Sequence, residues 1–359
     1  MNKGYAAALA GTIMDRFADP DSYPYRSWSY SQGFMLWGFI RLYEYTGNTS
    51  YRDYVLRYCE EHVDAEGNIA GFSGVSLDDI MTGSVLIWAF QETGEQRYRL
   101  ACDRIRKVFD DYPRNANGGF WHGKQLPGEM WVDGLFMGLM FLTRYGAVIG
   151  DSEYCFSESV RQLNIVFECC EKDHTGLLYH AYSENPEPAW VNPVSGNSPE
   201  IWSEGLGWYA MMLAEALELI PEGTEGRDSL VRQMQALARG LALCIDPVAH
   251  LWFQVVDKPR TKKNWHDTSG TAMFLYALHK ALRLGALEEK YAGLCDLAFD
   301  GLKSKCLFDL DGHMNVYDAC DGLGVQTDYD SYMFFPRTVN AKEAVAAVLW
   351  ACTEMEYEK

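Results

Sequence analysis

Tyr43-Glu44-Tyr45-Thr46-Gly47-Asn48-Thr49-Ser50-Tyr51 and Phe90-Gln91-Glu92-Thr93-Gly94-Glu95-Gln96-Arg97-Tyr98 carry one phrase twice: an aromatic residue, a Thr-Gly turn, and a Tyr shortly after it. Apolar residues recur at spacings of three and four on both sides of each phrase, the mark of amphipathic helices. A turn this short forces its two helices to run antiparallel. The phrase therefore reads as one helical hairpin, partly repeated, as stacked or toroidal helix pairs require.

The same periodicity extends through nearly the whole chain. It predicts helices over 4–18, 28–46, 50–63, 77–92, 95–110, 129–148, 152–171, 199–220, 226–245, 266–284, 287–304 and 337–356. Thr46-Gly47-Asn48, Thr93-Gly94 and Pro221-Glu222-Gly223 stop helices, while Ser50, Asp151 and Ser198 stand where N-caps are wanted. Longer segments rich in Gly, Pro and aromatics (64–76, 111–128, 172–198, 246–265 and 305–336) alternate with the short turns. Six hairpins follow, with the long loops gathered at one end. The expected fold is all-α, a six-hairpin (α/α)6 toroid. No low-complexity or charged linker interrupts it, so residues 1–359 are expected to form a single domain.

Bulk composition narrows the partners. A hydrophobic content of 48% supports a large core, and 11 Trp with 22 Tyr supply flat faces suited to sugar rings. The net charge of −19 excludes a phosphate backbone as partner, because nucleic acid is bound through clustered Lys and Arg. No basic amphipathic run and no membrane-length apolar window occurs, so no membrane partner is expected. The N-terminus lacks the basic and apolar pattern of a secretion signal, and the ten cysteines include no CxxC pair. Free thiols in a cytoplasmic monomer or homodimer are the expectation.

Polar groups stand at the starts of several apolar helices. Asp133, within Met130-Trp131-Val132-Asp133-Gly134-Leu135-Phe136-Met137, follows Gly118-Gly119-Phe120-Trp121-His122 on a glycine-rich loop. It has two readings. As an N-terminal helix residue it satisfies backbone donors. As a poorly solvated carboxyl it has a raised pKa, and can give a proton and take one back. Asp78 and Asp79 precede another apolar helix; one can cap, and the other, taken as Asp78, is left for chemistry. His180 lies in a long loop, and Ser198-Pro199-Glu200-Ile201-Trp202-Ser203-Glu204-Gly205-Leu206-Gly207-Trp208 enters a helix with two indoles that capping does not explain. His266-Asp267-Thr268-Ser269-Gly270-Thr271-Ala272 reads better as close helix packing than as a site.

Gly322-Leu323-Gly324 lacks the strand and helix of a dinucleotide loop, and Asp309-Leu310-Asp311-Gly312 is too short for a calcium loop. Neither metal nor cofactor is expected.

Together these segments, with Trp28-Ser29-Tyr30 and Thr268-Ser269-Gly270-Thr271-Ala272-Met273-Phe274, resemble the unsaturated rhamnogalacturonyl hydrolases of glycoside hydrolase family 105 and the related unsaturated glucuronyl hydrolases of family 88. The resemblance runs from about Trp28 to the C-terminus and implies the same (α/α)6 barrel. It implies a substrate oligosaccharide whose non-reducing end is a 4,5-unsaturated uronate left by a lyase. Protonation at C4 of that enol ether gives an oxocarbenium-like C5, water adds there, and the hemiketal opens to free the aglycone. This differs from ordinary two-carboxylate glycoside hydrolysis.

The resemblance assigns the proton to Asp133 and a second pocket carboxylate to Asp78. It implies a substrate-binding wall of Tyr30, His122, Trp131 and Met137, continued by His180, Trp202 and Trp208. Glu204 stands where related chains commonly place Arg, and Gly123 where they place Lys, with Lys124 adjacent. Glu204 is then expected to bind sugar hydroxyls while Lys124 or Arg337 meets the uronate charge. An inverting glycosidase using Asp78 and Asp133 on saturated sugars, and a non-catalytic sugar-binding toroid, are the alternatives.

Overall fold

A computed structural model describes residues 4–357. The first part of the chain forms α1 (Tyr5–Arg16), α2 (Tyr30–Thr46), α3 (Thr49–His62), α4 (Asp78–Met81), α5 (Gly83–Thr93) and α6 (Gln96–Lys107). The middle forms β1 (Glu129–Trp131), α7 (Asp133–Val148), α8 (Ser152–Cys170), β2 (Ala181–Ser183), α9 (Ser203–Leu219) and α10 (Arg227–Cys244). Then come α11 (Thr268–Arg283), α12 (Ala292–Lys303), β3 (Cys306–Phe308), β4 (Met314–Val316) and β5 (Ala319–Cys320). The chain closes with α13 (Tyr329–Phe334), β6 (Arg337–Thr338) and α14 (Lys342–Tyr357).

Six helical positions, one of them filled by the consecutive α4 and α5, make an inner ring in the order α2, α4/α5, α7, α9, α11, α14 and back to α2. They are apolar all round, as helices buried on every side must be: in α7 every residue from Asp133 to Gly146 is buried, and in α9 every residue from Ser203 to Leu217. The outer helices bury only a stripe. In α6 it is Tyr98, Ala101, Cys102 and Ile105, the spacing that faces one side of a helix. The (α/α)6 arrangement agrees with the expectation from periodicity.

Both copies of the Thr-Gly phrase make the same turn. Gly47 (φ 66°) and Gly94 (φ 72°) adopt the left-handed conformation and donate their N–H to Tyr43 O and Phe90 O, each at 2.8 Å. The tyrosines that follow, Tyr51 and Tyr98, are buried under the hairpins they join. The sixth hairpin uses the two ends of the chain. Helix α1 packs on α14, and the Glu356 carboxylate accepts the N–H groups of Tyr5 (2.7 Å) and Ala6 (3.0 Å), capping the first helix from the last.

The inner helices start later than periodicity predicts, at 30, 133, 203, 268 and 342 rather than 28, 129, 199, 266 and 337. The displaced residues pair with distant loops. Glu129–Trp131 lies antiparallel to Ala181–Ser183, Trp202 bridges Val255, and Arg337–Thr338 pairs with Ala319–Cys320. The expected capping side chains also differ. Ser198 instead accepts from Ala181 N (3.0 Å), Asn48 rather than Ser50 caps α3, and the Asp151 side chain goes to Arg106. The helix expected over 77–92 breaks at Thr82, whose hydroxyl donates to Ser29 O at 2.5 Å.

Two glycines let the inner ring close tightly. A Cβ on Gly270 of α11 would lie 1.9 Å from Ser203 Oγ of α9, and one on Gly134 of α7 would meet Leu77 at 3.0 Å and His122 at 3.2 Å. Below the first turns an aromatic plug fills the axis: Trp208 packs on Phe34 (4.6 Å between ring centroids) and Phe136 (4.9 Å), and Phe34 on Trp350 (5.4 Å).

Candidate active site

Above that plug the first turns of the inner helices converge on a cavity of about 240 Å3. Tyr30 opens α2, Asp78 opens α4, Asp133 opens α7, Glu204 sits in the first turn of α9, and Lys342 opens α14; all five line it. Trp131, just before α7, and Trp202, just before α9, supply walls, and Trp208 the floor. Helix N-termini carry unsatisfied N–H groups and partial positive charge, so acidic residues are favoured there. That preference also concentrates carboxyls at one rim.

Asp133 is nearly buried, with 9% of its side chain exposed, and its Oδ2 lies 3.2 Å from His180 Nε2. His180 is fully buried. Its Nδ1 meets the Tyr332 hydroxyl at 2.8 Å, and its ring packs on Trp202 at 4.6 Å. The Val132 N–H donates to His180 O (3.0 Å), which ties the loop to the start of α7. In the same wall His122 Nε2 lies 3.4 Å from Asp78 Oδ2, and the imidazole stacks on Trp131 at 4.4 Å with planes 12° apart. Burial opposes the charged form of His122, but Asp78, then Asp133 and Glu129, carry its pKa above the ordinary value.

The rim between α9 and α14 differs in character. Glu343 Oε1 accepts from the Tyr30 hydroxyl (2.6 Å) and pairs with Lys342 Nζ (2.8 Å), which also reaches Asp321 (3.3 Å). Glu204 is 1% exposed, and its Oε2 has no partner. The buried Trp202 Nε1 likewise lacks one. Unmet hydrogen-bonding groups around a cavity are capacity for a ligand.

Three indoles, three carboxyls, one imidazole and one ammonium thus face a pocket of sugar size. A family model described as Glycosyl Hydrolase Family 88 matches residues 5–358. The chain belongs to this family. A solved glycoside hydrolase from family 105 of C. acetobutylicum ATCC 824 superposes with a TM-score of 0.94 at 30% identity, over 99% of each chain. The unsaturated rhamnogalacturonyl hydrolase YesR of Bacillus subtilis (strain 168) is 25% identical over 264 residues, 71% of this chain and 72% of its own. Protein Atu3128 of Agrobacterium fabrum is 38% identical over 160 residues, 44% of this chain and 67% of its own.

In this glycosyl hydrolase the fold brings Tyr30, Asp78, His122, Trp131, Asp133, Met137, Trp202, Glu204 and Trp208 into the cavity wall. His180 stands directly behind Asp133 instead. Lys124 is exposed outside the cavity, its ammonium 5.6 Å from the Tyr112 ring centre. Arg337 is half exposed, beside Asp318 (3.4 Å) and over Trp265, and does not line the cavity either. Asp79 accepts from Ser73 and from Val75 N, holding the loop before α4, so of the two acids Asp78 alone faces the pocket.

Sequence reasoning missed Lys342, Glu343, Tyr332 and the Gly322–Gly324 edge. A Lys-Glu pair near a helix start reads as solvated surface, and only ring closure turns it inward. Gly322-Leu323-Gly324, dismissed as a nucleotide loop, forms part of the wall near Trp131. Away from the cavity, Asp309, Asp311 and His313 bring ligand atoms within 4.8 Å of one another on the β3–β4 turn. Asp309 there accepts from the N–H groups of Asp311 and His313, which builds the turn. Among the described residues no helix is long and apolar enough to cross a membrane.

Proposed function

We propose that this glycosyl hydrolase releases a terminal 4,5-unsaturated uronic acid from oligosaccharides produced by a polysaccharide lyase. The observation that carries this reading is Asp133 at the cavity wall with the buried His180–Tyr332 pair behind it. The name of the Bacillus relative supports the substrate class.

In the reaction, the Asp133 carboxyl gives its proton to C4 of the enol ether, and positive charge develops at C5 and the ring oxygen. The resulting carboxylate then takes a proton from the water that adds to C5. The hemiketal formed there opens, and the aglycone leaves with no attack at the anomeric carbon. Asp133 ends as it began. His180 orients it through Nε2, and the direction of that hydrogen bond follows the tautomer: an Nδ1–H aimed at Tyr332 leaves Nε2 free to accept from a protonated Asp133. Asp78 and His122 bind sugar hydroxyls, while Trp131, Trp202 and Trp208 present faces to the sugar ring. All ten cysteines are unpaired, which suits a reducing compartment, and we place the enzyme in the cytoplasm.

The test is Asp133→Asn with an unsaturated disaccharide, following loss of the double-bond absorbance. Removing the general acid is expected to lower kcat about 10²–10⁴-fold. A matched saturated disaccharide should be inert to the wild type; near-normal turnover by the variant, or hydrolysis of the saturated sugar, rejects the assignment.

A further inference from the structure

We propose that Glu204 acts as a neutral carboxylic acid donating a hydrogen bond to the substrate's carboxylate, while Lys342 supplies the positive charge, so that this pair on α9 and α14 selects an anionic sugar. The inference rests on the reaction proposed above and names the means by which the same cavity accepts a uronate.

Among the described residues Lys342 is the only Lys or Arg in the cavity wall. Three buried carboxyls share its neighbourhood: Glu343 beside it on α14, Glu204 on α9, and Asp267 at the N-cap of α11. Their partners tell which is ionised. Glu343 holds Lys342 and the Tyr30 hydroxyl. Asp267 accepts from Gly270 N (2.9 Å), Ser269 Oγ (2.9 Å) and Cys320 N (3.3 Å). Glu343 thus carries a cation and a hydroxyl on one oxygen and Asp267 three donors, although Glu343 Oε2, like Glu204 Oε2, has no partner. Among the described residues no cation is bonded to Glu204, which has only the Ser269 hydroxyl beside it.

An isolated buried charge is far more costly than an uncharged acid, so the proton goes to Glu204. The other titratable groups facing it do not change this: Tyr30 on α2 and Cys320 on β5 are neutral donors, and His180 is occupied by Asp133 and Tyr332. Burial, then Glu343 and Asp267, push the Glu204 pKa well above the usual carboxyl range, outweighing the opposite pull of the Ser269 hydroxyl and Lys342.

A neutral acid in this place inverts the effect expected of a glutamate. An ionised Glu204 would repel the uronate; a protonated one offers it an O–H, a strong charge-assisted bond to a carboxylate. Lys342 lies in the same wall with its ammonium already partly dehydrated.

The experiment measures KM for an unsaturated uronide and for its methyl ester from about pH 5 to about pH 9. Wild-type KM for the acid is expected to be flat at low pH and to rise about tenfold per pH unit once Glu204 ionises. Glu204→Gln keeps a donor that cannot ionise, so at the alkaline end its KM should fall tenfold or more below the wild type's. Lys342→Met combined with Glu343→Gln removes the cation without stranding its partner. That variant should raise KM for the acid about 10- to 100-fold, and far less for the ester.

Thermal melts establish that each variant folds. A wild-type KM that is flat across the range, or an equal loss for acid and ester in the double variant, overturns the proposal. If the wild type turns over no unsaturated uronide, the reaction is what fails; the pair is then judged by the same pH and variant criteria on Kd for glucuronate, read from tryptophan fluorescence.

Discussion

Helix α9 carries two buried glutamates, Glu204 in its first turn and Glu215 eleven residues on, about 16 Å further along the axis. Both are essentially inaccessible, yet their surroundings drive them in opposite directions. Glu215 is held by Arg41 (2.7 Å), Lys280 (2.5 Å), Arg144 and the Tyr276 hydroxyl. Burial alone would raise its pKa, but Lys280, Arg41 and Arg144 outweigh burial and hold it well below the usual range. Glu204 has an unpartnered oxygen and two acidic neighbours, and is pushed up. One helix thus places a carboxylate with both oxygens paired at one end and an acid with an unpartnered oxygen at the cavity. A buried charge that is fully paired holds structure; one left short of a partner is poised to meet a ligand.

The largest effect should come from Glu215. Glu215→Gln leaves Arg41, Arg144 and Lys280 short of their shared carboxylate, and should cost about 3–5 kcal/mol in urea unfolding. A loss under about 1 kcal/mol would show that the cluster does not hold the barrel together. Next is the seam between α9 and α11. A methyl on Gly270 collides with Ser203, so Gly270→Ala should destabilise by about 1–3 kcal/mol and raise KM through the displaced first turn of α9.

The smallest effect is in the pH dependence of stability, where the two glutamates oppose one another. Glu215, with a lowered folded pKa, contributes stability above its unfolded pKa and loses it as pH falls through the folded value. Glu204, with a raised folded pKa, contributes most below its unfolded value and loses that contribution as pH rises through the folded one. Replacing Glu204 by Gln should therefore flatten the alkaline side of a melting-temperature profile and leave the acid side unaltered. The opposite pattern would contradict the assignment of the neutral acid.

Much of this architecture was legible. Helices recur because inner and outer faces demand a period near 3.6, and Gly47 and Gly94 mark turns that need a left-handed residue. Carboxyls and indoles at the starts of apolar helices, as at Asp78, Asp133 and Trp202, were visible because solvation and capping do not account for all of them. Helix starts were not legible, because Met130 and Trp131 continue the apolar spacing while their backbone pairs with 181–182. Nor was the cation: Lys124 and Arg337 looked available, but both face outward, and Lys342 reaches the cavity only because α14 closes the ring between α11 and α2.

Six helical hairpins, and the carboxyls and aromatics at their entrances, can be read from the residues alone, since period, turn chemistry and residue type are local. Which acid meets a base, which is left short of a partner, and which lysine faces the cavity follow only from the packed ring. Charge and protonation depend on neighbours brought together across hundreds of residues, as Tyr30 and Glu343 are, and no local pattern encodes that distance.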